Sequence, residues 1–448
     1  MDFDLLVVGG GPGGMAAARR AAEHGARVGL AEASRLGGTC VNRGCVPKKL
    51  LVYAARFADQ FKAAAGYGWQ VEQPHFDWLT LMAAIDREVT RLNGVYQDNL
   101  DKAGVTLFRH YAHFVDQHTL ALGDSKVTAA KILIATGGQP KLPDIPGIEH
   151  AVSSDDMFRL PRQPQHLVII GGGYIGSEFA CIMHGLGSKV TQIIRNDQIL
   201  HGFDDDLGRE IHQAMAQQGI QIMASSEPTA ITKTDAGLAV TVSTPEGEKT
   251  VVADGISLAA TGRRPNVKEL GLDNTEVELE QGAIAVDEHH RTTVPHIFAV
   301  GDVTSRVELT PVAIREGRLF ADAEFGHTPS KMSYDLIPSA VFTSPEMGSV
   351  GLTEAEAIEQ FGAEAIQTHC SRFVPMYYTL TPLKSKALVK LVVQKSTDRV
   401  LGAHMVGDHA AEIIQTVAIA LTRGATKADF DATLAIHPTS AEEFAATQ

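Results

Sequence analysis

Residues 5–14 read Leu5-Leu6-Val7-Val8-Gly9-Gly10-Gly11-Pro12-Gly13-Gly14, an apolar run followed by a glycine-rich segment. Its apolar residues predict a short buried strand, and its glycines predict a tight turn. The alanine-rich residues 15–24 predict a helix, and residues 26–31 predict a second strand that closes on Glu32. Strand, glycine turn, helix and strand in this order are typical of a βαβ unit that binds a dinucleotide.

The same pattern returns at residues 167–194, where an apolar run precedes Gly171-Gly172-Gly173-Tyr174-Ile175-Gly176 and a second helix and strand follow. In both copies the glycines let a pyrophosphate approach the backbone, and the helix N-terminus favours phosphate charge. One glycine motif is a weak signal, whereas two in full context indicate two dinucleotide sites. We therefore expect an α/β chain with two Rossmann-like domains.

The carboxyl-terminal part has a different pattern. From about Ile337 onward, residues 387–394 and 399–406 predict antiparallel strands, and residues 409–423 carry apolar side chains at helical spacing. We interpret this part as a separate α+β domain. The patterns together predict four segments of the chain: 1–138, 139–264, 265–336 and 337–448.

Composition and charge narrow the possible partners. The 448 residues include 53 Asp and Glu against 39 Lys and Arg, which gives a net charge of −14. This charge disfavours a nucleic acid or an anionic membrane surface as partner. No apolar run approaches the roughly 20 residues of a membrane helix, and the first residues, with two acids, do not resemble a signal peptide. We expect a cytoplasmic protein.

The cysteines form one pair and two isolated residues. Cys40 and Cys45 lie five positions apart in residues 37–49, Gly-Gly-Thr-Cys-Val-Asn-Arg-Gly-Cys-Val-Pro-Lys-Lys, whereas Cys181 and Cys370 stand alone. Four cysteines are too few to staple a chain of this length, so the pair suggests redox chemistry, a metal site or two buried thiols. Zinc would need further ligands at suitable spacing, and none follows here.

Helix geometry restricts what the pair can do. On an ideal helix the two Cα atoms would lie about 8.6 Å apart, beyond the roughly 7 Å that a disulfide can span. A bond between Cys40 and Cys45 therefore needs an irregular helix, which Gly44 and Pro47 make plausible.

The chain ends near a second distinctive segment, residues 437–443, which read His-Pro-Thr-Ser-Ala-Glu-Glu. Thr439 with Glu442, or Ser440 with Glu443, fits a capping box at a helix start. A histidine before a proline is by itself weak evidence of a functional residue. The segment can start a helix and also carry a functional histidine.

The cysteine segment between two nucleotide motifs resembles the flavin-dependent pyridine nucleotide–disulfide oxidoreductases, and the resemblance runs from Asp4 to the last ten residues. Within that family the chain is most similar to cyanobacterial and bacterial members that reduce glutathione disulfide. The resemblance implies FAD and NADPH as cofactors, no metal, and glutathione disulfide as substrate. It also implies a homodimer in which each active site takes its tail from the neighbouring subunit.

The resemblance assigns a role to each segment and to the reacting residues. Segments 1–138 and 265–336 would bind FAD, 139–264 would bind NADPH, and 337–448 would form the dimer interface. Cys40 and Cys45 would form the redox disulfide, with Cys45 as the charge-transfer thiol beside the flavin and Cys40 as the interchange thiol. The other catalytic residues would be an ion pair near the flavin and an acid–base pair in the tail: Lys48, Glu178, His437 and Glu442.

The cofactor-binding residues follow from the same resemblance. The residues expected at FAD are Gly9, Gly11, Gly14, Glu32, Thr39, Gly138 and Asp302. The residues expected at NADPH are Gly171, Gly173, Tyr174, Gly176, Arg195, His201 and Gly262.

The choice of coenzyme rests on the end of the second βαβ unit. An acid there would favour NADH, but Ile194 takes that place and Arg195, unless it is only a surface charge, suits a 2′-phosphate. His201 stands where the NADPH-linked members carry a second arginine, and Gly176 where they usually carry alanine. We expect NADPH to be preferred, less strictly than usual.

The prediction of the substrate rests on cationic side chains, because glutathione disulfide carries four carboxylates that a binding site must match. Arg19, Arg318 and Tyr96 match the family's glutathione-binding positions, although Arg19 alone would also fit a helix surface, and Pro12 replaces the usual serine. Reduction of the amide of glutathione with NADH remains an alternative, and lipoamide dehydrogenase is disfavoured. A flavoprotein without turnover, or a transhydrogenase, would need neither the cysteine pair nor the histidine tail.

Overall fold

The structure is a computed structural model and describes residues 1–72 and 74–447. The α-helices of this part, in chain order, are Pro12–Glu23 (α1), Gly38–Arg43 (α2), Cys45–Ala64 (α3), Trp78–Ala103 (α4), Tyr174–Gly185 (α5), Asp205–Gln218 (α6), Thr310–Glu324 (α7), Glu354–Phe361 (α8), Ala410–Thr422 (α9), Lys427–Ala432 (α10) and Glu443–Ala446 (α11). None of these helices is both long and apolar enough to span a bilayer.

The strands of the same residues, in chain order, are Phe3–Val8 (β1), Val28–Ala31 (β2), Thr106–Phe108 (β3), Ala112–Phe114 (β4), Thr119–Leu122 (β5), Ser125–Ile134 (β6), Gly138–Pro140 (β7), His166–Ile170 (β8), Lys189–Ile193 (β9), Gln221–Met223 (β10), Glu227–Thr234 (β11), Gly237–Thr244 (β12), Gly247–Ala253 (β13), Ser257–Ala259 (β14), Arg263–Pro265 (β15), Leu279–Glu280 (β16), Ala283–Ile284 (β17), Ile297–Ala299 (β18), Ser339–Val341 (β19), Met347–Gly351 (β20), Ile366–Phe373 (β21), Ala387–Gln394 (β22) and Arg399–Val406 (β23).

The chain divides into two compact units. The first comprises Met1–Lys48, Leu79–Lys141 and Gly262–Tyr334, and the second comprises Lys49–Trp78, Leu142–Thr261 and Asp335–Gln448. The division into four segments made from the sequence stays a prediction.

The first unit is built on a seven-stranded sheet in the order β3-β2-β1-β6-β5-β4, with β18 beside β6. Strand β1 pairs in parallel with β2 and β6, so Leu6 lies opposite Gly29 and Ile132. Leu6 belongs to one hydrophobic core and its neighbour Leu5 to another, one on each face of the sheet. Because both faces are buried, β1 is apolar throughout rather than alternating.

Helix α1 covers one face of this sheet and packs closely on α7. Ala17, Ala18 and Ala21 are fully buried on α1. The helices approach so closely that a Cβ atom on Gly317 of α7 would lie 2.4 Å from the Gly13 carbonyl oxygen. Small residues on α1 therefore allow the contact that places the glycine turn at the edge of the sheet.

The second unit contains a parallel sheet in the order β10-β9-β8-β14, an antiparallel sheet β11-β12-β13 and a five-stranded antiparallel sheet β19-β20-β23-β22-β21. Strands β22 and β23 have the bounds that the sequence predicts, and α9 lies within the predicted 409–423. Val389 and Met405 of the five-stranded sheet pack with Ile414 and Leu421 of α9.

The two units confirm the predicted α/β class with an α+β carboxyl-terminal part. One strand differs from expectation at its start: the sequence of residues 129–138 predicts a strand that ends in a glycine turn, whereas β6 already starts at Ser125 and ends at Ile134. Gly137, with φ +68°, takes a left-handed conformation that interrupts the extended chain before β7.

Candidate active site

The first glycine turn lies between β1 and α1 and needs glycine at two positions. Gly9 has φ +111°, and a Cβ atom there would lie 2.3 Å from the Ala135 carbonyl oxygen. A Cβ atom on Gly14 would lie 2.0 Å from the Gly9 carbonyl oxygen. The N-cap of α1 is Gly11, which has no side chain to cover the helix N-terminus. No side chain caps the N-terminus of α1, which suits the binding of a pyrophosphate by backbone N–H groups.

Glu32 lies at the end of β2 beside this turn. One of its carboxylate oxygens accepts a hydrogen bond of 2.8 Å from the Gly10 N–H, and the other accepts one of 2.7 Å from the Ser34 N–H. The carboxylate therefore fixes the turn as well as lying where a ribose would be bound in a dinucleotide fold.

The second glycine turn, between β8 and α5, repeats this geometry. Gly171 has φ +126°, and a Cβ atom there would lie 2.2 Å from the Ala260 carbonyl oxygen. A Cβ atom on Gly176 would lie 2.5 Å from the Gly171 carbonyl oxygen, while Gly173 faces open space at the start of α5. Tyr174, the first residue of α5, is exposed. These residues fit a second dinucleotide, and Gly262, with φ +118°, is exposed in the turn before β15.

Arg195 and His201 lie on an exposed loop beside the second turn. The Leu200 N–H between them donates a 2.7 Å hydrogen bond to the Gly172 carbonyl oxygen. Ile199 is fully buried and anchors the loop. The loop can therefore present both side chains to the adenosine end of a coenzyme held at the glycine turn.

The cysteine segment is an interrupted helix. Helix α2 ends before Gly44, and α3 begins at Cys45. A Cβ atom on Gly44 would lie 2.8 Å from the Thr39 carbonyl oxygen, so glycine allows the chain to break closely there. The break brings the Cys40 and Cys45 side chains into hydrogen-bond contact as free thiols. The interruption expected from Gly44 is present, and Thr39 lies half-buried next to Cys40 in α2.

The two thiols have opposite electrostatic environments. A hydrogen bond from Cys40 lowers the pKa of Cys45 to about 6 despite burial, with further stabilisation from Thr310 and the Lys48 charge. The same hydrogen bond, together with burial, raises the pKa of Cys40 above its ordinary value. Cys45 also begins a 20-residue helix, and a helix N-terminus favours a thiolate. The pair is thus set up with the negative charge on Cys45.

Two other predicted residues of the first unit, Tyr96 and Asp302, interact electrostatically with Cys40. Burial raises the pKa of Tyr96, and the charge of Cys40 raises it further, which places Tyr96 within electrostatic reach of the thiols. Burial also raises the pKa of Asp302, against the opposing charge of Arg263. Gly138 is adjacent, because a Cβ atom on it would lie 3.4 Å from the Asp302 Cβ.

Arg19 and Arg318 are exposed on α1 and α7, the two helices that pack together. Arg20, the neighbour of Arg19, is instead held by Glu23 and Asp322.

Thr310 and Glu316 take part in the site although the sequence did not point to them. The Thr310 hydroxyl lies 3.7 Å from the Cys45 sulfur. The buried Glu316 carboxylate accepts hydrogen bonds of 2.7 Å from the Gly301 N–H and 2.6 Å from the Tyr334 hydroxyl, and so holds the turn that carries Asp302. Both residues sit in an ordinary-looking helical stretch, and no motif marks them.

Asn93 is a third residue near the cysteine segment that no sequence motif marks. Its amide donates hydrogen bonds of 2.8 Å to the Leu36 carbonyl oxygen and 3.0 Å to the Asn42 side-chain oxygen. The Asn42 amide in turn donates to the carbonyl oxygens of Leu36 and Gly38. The position of Asn42 inside the cysteine segment was the one available signal.

In the second unit, the tail has a capping box and also brings His437 and Glu442 together. Thr439 caps the turn by accepting from the Glu442 N–H, so the capping box uses this pair. The Glu442 carboxylate also lies 3.0 Å from His437 Nδ1. With a proton on Nδ1 donated to Glu442, Nε2 is the free nitrogen. The His437 side chain is 78% exposed.

Glu178 is buried in α5 and accepts a 2.8 Å hydrogen bond from the Phe342 N–H. Its expected ion pair with Lys48 stays a prediction. Cys181 is buried, which raises the pKa of its thiol to about 12, and burial also raises the pKa of Cys370. Neither isolated cysteine is activated.

The chain matches two family models. Residues 3–317 match the pyridine nucleotide-disulphide oxidoreductase model, and residues 337–447 match the dimerisation domain of the same family. The chain therefore belongs to the pyridine nucleotide-disulphide oxidoreductase family, as the sequence indicated.

Curated relatives match over nearly the whole chain. It is 51% identical to a glutathione reductase of Nostoc sp. over 99% of this chain and 98% of the relative. It is 47% identical to a glutathione reductase of Burkholderia cepacia, with coverage of 99% and 98%. It is 44% identical to the chloroplastic/mitochondrial glutathione reductase of Pisum sativum, with coverage of 99% and 82%.

Proposed function

We propose that the chain is an FAD-containing enzyme that reduces glutathione disulfide to two glutathiones with NADPH. The observation that carries this proposal is the thiol pair at a helix break, with the pKa of Cys45 at about 6 beside the first glycine turn. The names of the curated relatives support the choice of substrate. A cytoplasmic location stays a prediction.

FAD, when bound, supplies two-electron transfer from the nicotinamide to the disulfide between Cys40 and Cys45. Gly9, Gly11 and Gly14 would admit its pyrophosphate. Two electrons break the sulfur–sulfur bond and leave a thiolate on Cys45 and, after uptake of one proton, a thiol on Cys40.

The cysteines then exchange with the substrate. Deprotonated by His437 of the partner subunit, Cys40 attacks one sulfur of glutathione disulfide and forms a mixed disulfide. The same imidazole gives its proton to the departing glutathione thiolate. The Cys45 thiolate then attacks the Cys40 sulfur, which restores the enzyme disulfide and releases the second glutathione as a thiolate that takes up a proton. In all, two electrons and two protons are consumed. Glu442 would stabilise the imidazolium.

We propose a homodimer with active sites shared between subunits. The matched dimerisation domain supports this. The segment before His437 also exposes apolar side chains, with Leu434 94% and Ile436 77% exposed. A contact with a second copy would bury them and bring the histidine with it.

One alternative is reduction of the amide of glutathione with NADH, favoured by Pro12 and Gly176. Close packing explains the glycine at position 176, since a Cβ atom there would lie 2.5 Å from the Gly171 carbonyl oxygen. Glycine at this position is therefore no sign of NADH use.

A steady-state panel tests the proposal. Glutathione disulfide, its diamide, lipoamide and trypanothione disulfide are each assayed with NADPH and with NADH. We expect the highest kcat/KM for glutathione disulfide with NADPH, because Arg19 and Arg318 match carboxylates and Arg195 matches a 2′-phosphate. A higher kcat/KM for the diamide with NADH would overturn the proposal in favour of the alternative, and no turnover by FAD-containing protein would favour a binding role.

A further inference from the structure

Lys390 is a buried cation that the proposed mechanism does not use. It lies on β22, its side chain is 2% exposed, and three carboxylates surround its ammonium group. The Nζ atom lies 2.9 Å from Asp204, 2.8 Å from Asp206 and 2.7 Å from Glu354. Asp204 is as deeply buried as Lys390, so removing the lysine would leave the buried Asp204 carboxylate without this cation.

The surroundings of Lys390 stabilise the protonated, positively charged form of its side chain. Burial lowers the pKa of its ammonium group, but the hydrogen bonds to Asp206, Glu354 and Asp204 outweigh burial and raise the pKa above its ordinary value. The cation therefore balances the acidic start of α6, where three consecutive aspartates stand at residues 204–206.

These aspartates follow directly on the loop that carries Arg195 and His201. Asp204 is the N-cap of α6, and its side chain accepts a hydrogen bond from the Asp206 N–H. The first turn of α6 contacts the same loop, since a Cβ atom on Gly208 would lie 3.2 Å from the Ile199 carbonyl oxygen. The start of α6 and the coenzyme loop are thus one packed piece.

A lysine at this place has two consequences for an anion bound by the loop. It fixes the N-cap, and through it the position of the loop against the second glycine turn. It also neutralises carboxylates that would otherwise repel a phosphate a few residues away.

We propose, on the basis of the function proposed above, that Lys390 is a positioning residue for the 2′-phosphate of NADPH, acting through Asp204 and the loop that carries Arg195 and His201. Lys390 touches neither the coenzyme nor the reacting atoms. From its place on a strand of the carboxyl-terminal sheet, it favours the binding of a ribose that carries a 2′-phosphate.

Calorimetry of the FAD-containing protein with 2′,5′-ADP and with ADP tests this, because only the first probe carries a 2′-phosphate. For Lys390→Met we expect the Kd of 2′,5′-ADP to rise about fivefold or more, equivalent to about 1 kcal/mol, with the Kd of ADP unchanged. In turnover, the KM for NADPH should rise while kcat and the KM for the disulfide stay as in the wild type. Lys390→Arg should restore both values.

Lys427→Met is the matched control. Lys427 is also a buried lysine of the carboxyl-terminal part, paired with Asp431, and its partner is not in α6. Its replacement should leave the binding of both probes unchanged. If Lys390→Met does not fold, the double variant Lys390→Met/Asp204→Asn removes both buried charges and should show the same selective loss.

Two results would overturn the inference. An equal loss for both probes, or no loss for either, would show that Lys390 has only a structural role or none. A wild type that binds 2′,5′-ADP no better than ADP would instead overturn the proposed use of NADPH, and the inference with it.

Discussion

Cys45 and Cys40 belong to one motif, yet their hydrogen bond gives them opposite protonation behaviour. Cys40 donates to the Cys45 sulfur, and this contact lowers the pKa of Cys45 to about 6 from the ordinary value of 9.0. The thiolate is the reactive form of cysteine. In the reduced protein, Cys45 should therefore be charged at neutral pH while Cys40 carries the proton.

Initial rates of alkylation by iodoacetamide, mapped by mass spectrometry across pH 5 to 10, test this difference. Because the pKa of Cys45 is lowered, its rate should rise with a midpoint near pH 6 and then level off. Cys40 should react only at much higher pH. Cys370 is an internal control, since it is a free thiol whose pKa is raised by partial burial. A Cys45 midpoint near pH 9, or Cys40 reacting first, would contradict the assignment.

Single residues also show where sequence reasoning succeeds. Gly9 and Gly44 could be predicted because their requirement is local, a turn or a break within a few residues. Thr310 and Glu316 could not, because they reach the site from a helix more than 250 positions along the chain from the cysteines. The residues next to them in the sequence give no indication of this contact with a distant part of the chain.

The break between α2 and α3 depends on the missing side chain of Gly44. In Gly44→Ala the added methyl group would lie 2.8 Å from the Thr39 carbonyl oxygen and push the two helices apart. We expect a loss of about 1–3 kcal/mol in the free energy of unfolding. We also expect slower formation of the disulfide between Cys40 and Cys45, measured by urea unfolding and by thiol counts after oxidation.

Gly94→Ala is the control, since Gly94 lies in α4 and a Cβ atom there meets open space. It should gain about 0.5–1 kcal/mol from helix propensity alone and leave the thiol counts unchanged. Disulfide formation at the wild-type rate in Gly44→Ala would show that the break does not depend on glycine.

Elements differ in how well their sequence predicts them. Strands β22 and β23 and helix α9 match expectation closely because their periodicity is long and uninterrupted. The start of strand β6 did not match, because three of the four residues 125–128 are polar. These residues pair with β5 in an antiparallel ladder that the apolar pattern does not reveal. Partners of this kind are decided by tertiary packing rather than by local propensity.

The exposed tail leads to a prediction that can be tested only with two subunits. His437 is 78% exposed and follows the exposed side chains of Leu434 and Ile436. If the tail completes the site of a second copy, one active site needs Cys40 from one chain and His437 from the other. Two inactive variants can then complement each other.

Cys40→Ser and His437→Ala should each be inactive in glutathione disulfide reduction. After subunit exchange between them, half of the dimers are mixed, and each mixed dimer holds one site with both intact residues. Activity should therefore return to about a quarter of the wild-type value. A mixture of Cys40→Ser with Cys45→Ser is the control, because both defects lie in the same half of each site and no intact site can form. If the first mixture also stays inactive while mass spectrometry confirms exchange, each site is built from one chain and the sharing proposed here is wrong.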